Sequence, residues 1–206
     1  MSPGNMPYDS REGYGPNKVA AEAVLLESGE SVSVLRPSKV HGERARPPRE
    51  WHFVKRVLDG RKVVVLAGGG TGIDHPSAAA NIASLIETCA AQPGTRVLNS
   101  ADPDAPNGLG ISRTVASHFG HDWDEVLLDD DAPTGLGWHP WDRRPPVVLD
   151  VSAALALGWQ PVGNYAATVT TELDWLASGR ATFDEGFFNR SFDYASEDAW
   201  MAGRTL

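Results

Sequence analysis

Apolar positions along this chain change period repeatedly, and the changes mark out alternating helices and strands. Val19, Ala20, Ala23, Val24, Leu25 and Leu26 fall in a helix-forming run, which predicts a helix over about 16–27. Val32, Val34 and Leu35 then alternate with serines and end at Arg36-Pro37, a short strand. Phe53, Val54, Val57 and Leu58 are spaced for one face of a helix over 51–58. Val63 to Leu66 is a continuous apolar run of the kind found in buried strands. A longer helix is expected from Pro76 to about Ala91, with Asp74 or His75 as cap and Pro76 in its first turn. Further strands are expected at 96–99 and 125–128, and a helix over 111–119 stopped by Gly120. Helices over 151–157 and 165–176 come after a long Gly-, Pro- and Trp-bearing loop at 133–146. The alternation predicts an α/β fold with parallel strands.

The chemistry begins at Tyr14-Gly15-Pro16-Asn17-Lys18, a Tyr-x-x-x-Lys spacing at the start of the first predicted helix. Residues four apart share a helix face. A free phenol titrates near ~10, and a nearby cation favours the phenolate. Such a pair can serve as a proton donor and acceptor, and the ammonium can also hold a ribose hydroxyl. Tyr-x-x-x-Lys also occurs by chance in many helices. The segments downstream of it give it weight: the strand, Arg36-Pro37, and a turn-like exit at Ser38-Lys39-Val40-His41-Gly42.

In that order of features the chain resembles the C-terminal part of an extended short-chain dehydrogenase/reductase, the NAD-dependent epimerase/dehydratase family. Arg36-Pro37-Ser38-Lys39-Val40-His41-Gly42 resembles that family's Arg-Pro-Ser-x-Val-Tyr-Gly strand end, with His41 where Tyr is commoner. His75 to Ala83 resembles a family helix that opens with His and runs through small residues. Val97 to Pro103 resembles its late strand, and Leu157 to Pro161 with Thr171 to Leu176 resemble its closing segments. The likeness runs roughly from residue 6 to residue 177, and the order of the motifs carries it.

The resemblance implies a partial Rossmann-type parallel sheet plus a smaller C-terminal substrate-binding lobe. Residues 1–42 would be a remnant of the dinucleotide-binding domain. Residues 43–178 would be mainly the substrate-binding lobe, with a returning strand near 96–99, and 179–206 an aromatic tail. Tyr14 would be the general acid or base and Lys18 would tune it and hold the nicotinamide ribose. Pro37 and Ser38 would lie beside the nicotinamide of NAD or NADP, and Lys39 and His41 would face a small molecule or nucleotide sugar. Hydride transfer itself would be the cofactor's chemistry.

The family's Gly-x-x-Gly-x-x-Gly unit and its Ser or Thr partner belong well upstream of the tyrosine. Ser2 and Ser10 are the only serines before Tyr14, and neither has the expected spacing. Gly68-Gly69-Gly70-Thr71-Gly72 comes directly after a strand but admits no Gly-x-Gly-x-x-Gly, so it reads as a flexible turn. The expectation is half an enzyme, one that binds NAD or NADP poorly alone. A non-catalytic remnant, or one subunit of a split enzyme completed by an N-terminal partner, is the rival expectation. Self-association into a homo-oligomer is a further expectation.

Composition narrows the setting. The 206 residues fit one domain, or one plus a small lobe, able to bury ~70% of its surface. A net charge of -9 argues against a nucleic-acid face. No apolar run approaches the ~20 residues that span a membrane. The N-terminus lacks a secretory pattern, and the single Cys89 cannot form an internal disulfide, so a cytoplasmic setting is expected. Asp129-Asp130-Asp131 reads as a solvated turn rather than a metal site, and His118 and His121 as surface residues near a helix end. Trp138-His139-Pro140-Trp141 reads as a packed loop, with a substrate or lid role as the alternative.

Overall fold

A computed structural model describes residues 7, 10–182, 185–188 and 191–203. Ser2, and Phe183 of the aromatic tail, lie outside the described residues. The first helix, α1 (Arg11–Leu26), starts five residues earlier than the apolar pattern implies. Ser10 causes this: its hydroxyl accepts from Gly13 N at 2.9 Å and caps the helix, with Glu12 in the first turn. Pro16 therefore lies inside α1 rather than at its start.

Strand β1 (Ser33–Pro37) leads at once into β2 (Lys39–His41), so the expected turn after Arg36-Pro37 is a second short strand, with Ser38 as the break. Helix α2 (Trp51–Leu58) and β3 (Val63–Leu66) match the sequence reading. The helix expected from Pro76 is a correction. Pro76–Ala78 is a strand, β4, and the helix α3 runs over Ala79–Ala91. The reason is pairing: β4 lies parallel to β2, in register Lys39 to Pro76 and His41 to Ala78. A ladder partner thus overrides the N-terminal preference of proline.

The later elements are β5 (Arg96–Ser100), α4 (Gly108–His118) and β6 (Asp124–Leu127). Helix α4 ends before Gly120, whose φ of 58° is a left-handed conformation that glycine adopts without steric cost. Helix α5 covers Ser152–Ala156. The expected helix over 165–176 divides into α6 (Tyr165–Thr168) and α7 (Thr170–Ala177), and α8 (Tyr194–Ala202) closes the described chain.

All three ladders are parallel: β1 with β5, β2 with β4, and β3 with β6. The strands at Val32 and Val63 do not pair with each other. The strand near 96–99 returns instead to the first one. Two hydrophobic clusters result. One surrounds β3, with Phe53, Val54, Ile111, Val115, Trp141, Tyr165 and Leu173 from α2, α4, α6, α7 and the 133–146 loop. The other joins Leu85, Leu98, Ala154 and Trp159 behind β5. Burying a side chain such as Phe53 is worth ~1.5–3 kcal/mol. Its ring also stacks on Trp141 at 5.7 Å and 8°, which adds ~0.5–1.5 kcal/mol. The loop reading of 138–141 as packed therefore describes Trp141 and His139, both buried.

Helix α1 is different. Its Tyr14, Val19, Val24 and Leu25 are exposed, Val24 by 70%. An ion pair of Glu22 with Arg36 ties it to the end of β1.

Candidate functional site

Tyr14 and Lys18 share one face of α1, and the Lys18 ammonium sits 5.7 Å from the centre of the Tyr14 ring. Tyr14 is 58% exposed, so the phenol is open to a ligand. Glu22 continues the same stripe one turn on. Glu22 pairs with Arg36 of β1, the residue before Pro37.

Pro37 and Ser38 lie at the C-terminal end of β1, the end of a parallel strand where α/β folds place ligands. Ser38 is fixed through its backbone, which donates to Ser77 Oγ at 2.9 Å. Ser77 Oγ in turn donates to the Ser100 carbonyl at 2.6 Å. One buried hydroxyl thus ties together the ends of β1, β4 and β5. Lys39 pairs with Asp74 at 2.9 Å and remains part-exposed.

His41 is only 1% exposed. Its Nε2 donates to Asp102 Oδ2 at 2.6 Å, and its ring tilts against that of Tyr165 at 5.0 Å. Asp102 also accepts from Ala78 N at 2.7 Å and Asn81 Nδ2 at 2.8 Å. Burial alone would push the Asp102 carboxyl up. The hydrogen bond from His41, with the Ala78 and Asn81 donors, outweighs it and holds the group below its ordinary value.

Beside His41 stand Glu50, at the start of α2, and Glu172, in the first turn of α7, both buried. Glu50 accepts from the Tyr165 hydroxyl at 3.2 Å, and Glu172 from Gly42 N at 2.5 Å. Burial, then the Glu50 charge, pushes the Glu172 carboxyl well up. Burial and the two carboxylates do the same to the Tyr165 phenol, which stays a donor.

The Tyr14–Lys18 face of α1 is exposed. Two amides of the Gly68–Gly72 turn are committed within the protein: Gly69 N donates to Leu128 O at 2.7 Å and Thr71 N to Gly68 O at 3.1 Å. A Cβ on Gly72 would lie 2.6 Å from the Trp141 carbonyl, so that glycine serves close approach of the 141–143 backbone.

No family model matches the chain, and no curated protein matches it. Solved structures do. The UDP-glucuronic acid 4-epimerase of Bacillus cereus, in complex with UDP-glucuronic acid and NAD, is similar with a TM-score of 0.62 and 16% identity, over 84% of this chain and 54% of that one. WbmG of Bordetella bronchiseptica, in complex with NAD and UDP, gives 0.60 and 25% over 81% of this chain and 50% of that one. RMD of Pseudomonas aeruginosa, complexed with NADPH, gives 0.61 and 16%, over 81% and 56%. The chain shares their Rossmann-like α/β fold. It spans about half the length of the solved structures it matches. No described helix is long and apolar enough to cross a membrane.

Sequence reasoning singled out His41 but missed Asp102, Glu50, Tyr165 and Glu172 as its surroundings. Asp102 and Glu172 each have an aspartate two residues on, Asp104 and Asp174, so nothing local singles them out. Nothing local marks Glu50, because its partners lie more than a hundred residues away.

Proposed function

We propose that this chain supplies the acid–base pair and substrate side of an NAD(P)-dependent epimerase, dehydratase or reductase acting on a hydroxyl or carbonyl group. The open Tyr14–Lys18 face, carried on a fold shared with NAD-bound sugar-nucleotide enzymes, is the observation that supports the reading. Tyr14 exchanges a proton with the substrate oxygen. Lys18 holds the tyrosine in its reactive form and contacts the ribose. Pro37 and Ser38 form the wall beside the nicotinamide, which when bound supplies the hydride chemistry. Lys39 reaches the substrate side, while His41, enclosed by Asp102 and Tyr165, sets the shape of that wall. A nucleotide sugar is the substrate class that the similar structures suggest.

A pyrophosphate-binding half is needed for turnover, from further residues or from a partner chain. The commitment of Gly69 N and Thr71 N within the Gly68–Gly72 turn supports this view, and so does the exposed apolar surface of α1. With that half present, Tyr14→Phe should lower the rate by ~10²–10⁴-fold and leave cofactor affinity nearly unchanged. Lys18→Ala should weaken both. Wild-type turnover by the Tyr14→Phe protein refutes the assignment.

A further inference from the structure

We propose that His41, Glu50 and Glu172 form a buried binding site for a divalent transition-metal cation. The donor atoms of the three side chains lie within 4.8 Å of one another, and all three residues are buried. They come from three separate elements: the end of β2, the start of α2 and the first turn of α7. A tetrahedral ion bound at ~2.0–2.2 Å needs its donors about 3.5 Å apart, a closure of roughly an ångström from that upper bound.

Each of the three is held from outside, as metal ligands are. Asp102 fixes His41 through Nε2, Tyr165 holds Glu50, and Gly42 N holds Glu172. Each outer contact leaves inward capacity. His41 Nδ1 is buried and meets no hydrogen-bond partner, and Glu172 Oε1 is buried with no donor facing it, the Glu50 carboxyl being its side-chain neighbour. With Nε2 donating to Asp102, Nδ1 presents a lone pair, the form of imidazole that binds metals. Charge points the same way. Asp102, Glu50 and Glu172 stand close together, and Arg49, whose guanidinium also reaches the Val40 carbonyl at 3.5 Å, is the cation that acts on both glutamates. Adjacent buried carboxylates require a counter-charge or a proton. One imidazole with two carboxylates suits Zn²⁺ or Mn²⁺ better than Mg²⁺ or Ca²⁺, which prefer all-oxygen shells. Three ligands leave a coordination position open. The proposal stands apart from the Tyr14–Lys18 reading and does not depend on it.

The full chain, stripped with a chelator and dialysed, would be titrated with Zn²⁺, Mn²⁺ and Mg²⁺ separately by calorimetry and thermal unfolding. Co²⁺ would be added as a visible-absorption probe of the coordination shell. The expected result is one Zn²⁺ or Mn²⁺ per chain, a rise in Tm and no response to Mg²⁺. Glu172→Gln and Glu50→Gln, near-isosteric changes whose folding circular dichroism would verify, should each abolish stoichiometric binding. Asp102→Asn should weaken it ~10–100-fold, as loss of an outer partner does. Asp130→Asn, in the exposed acidic turn, should change nothing. The proposal fails if folded wild-type protein shows no stoichiometric Zn²⁺, Mn²⁺ or Co²⁺ binding, which would assign a shared proton to the glutamate pair. It fails equally if binding survives unchanged in Glu172→Gln.

Discussion

His41 Nε2 donates to Asp102 Oδ2 across 2.6 Å, joining the end of β2 to the segment just after β5 in the protein interior. The same carboxylate takes the Ala78 amide and the Asn81 side chain, so β4 and α3 hang on it too. One charged group therefore sets the relative position of two parallel ladders.

Asp102→Ala should destabilise the protein by ~3–5 kcal/mol, because it leaves His41, Ala78 N and Asn81 buried with their shared partner gone. Urea unfolding measures this. A loss below ~1 kcal/mol would show that the three donors find other acceptors at little cost.

Stability should fall on acidification between pH 6.5 and about 4. Burial, only partly offset by Asp142, lowers the His139 imidazole from 6.5 to about 4. His52 is held well below its ordinary value by burial, then by Arg56 and His139. A depressed folded pKa means that the unfolded chain takes up the proton first. Stability is then fully present above about 6.5 and is lost as pH drops towards the folded value. The His139 contribution alone is on the order of 3 kcal/mol at pH 4. Urea midpoints from about pH 7 down to about 4.5, taken as the difference between wild type and His139→Gln because the raised Glu172 carboxyl acts in the opposite sense over this range, report the slope, and a difference that does not change with pH would contradict the buried neutral imidazole.

The aromatic tail docks through charge. Arg56, buried on α2, donates to Glu197 Oε1 of α8 and to the Ser191 carbonyl, both at 2.6 Å. Glu197→Ala should cost ~3–5 kcal/mol by leaving Arg56 buried and unpaired, and should expose α8 to proteolysis. It would also open the ≈ 620 Å³ cleft that Trp138 and Trp200 line between the 133–138 loop and α8. Unchanged protease resistance would mean that Arg61 with Asp198 at 2.7 Å and the Tyr194 hydroxyl donating to Asp59 at 2.8 Å suffice to hold the helix.

Residues 1–206 by themselves should bind NAD⁺ and NADPH weakly and self-associate. Among the described residues β1 pairs only with β5, which leaves one strand edge open beside the exposed apolar side chains of α1. Calorimetry with both nucleotides, paired with light scattering, checks this. Tight stoichiometric binding by a clean monomer would overturn it.

Local pattern determined most of the elements here. The 51–58 helix and the 63–66 strand were legible because period and length alone decide such segments. Ser10, too, could have been read as the cap that starts α1 at Arg11. Tyr14 and Lys18 were legible as a pair because helix geometry fixes a four-residue spacing. What no window of sequence contains is a partner from elsewhere in the chain. Pro76–Ala78 became a strand because β2 offered it a ladder, and the 165–177 helix divided at Val169. The cluster of His41, Glu50, Asp102, Tyr165 and Glu172 exists only because folding brings together three distant regions of the chain, near 41–50, at 102 and near 165–172. Burial then makes their charges interact, and both effects depend on distances that only the tertiary structure sets.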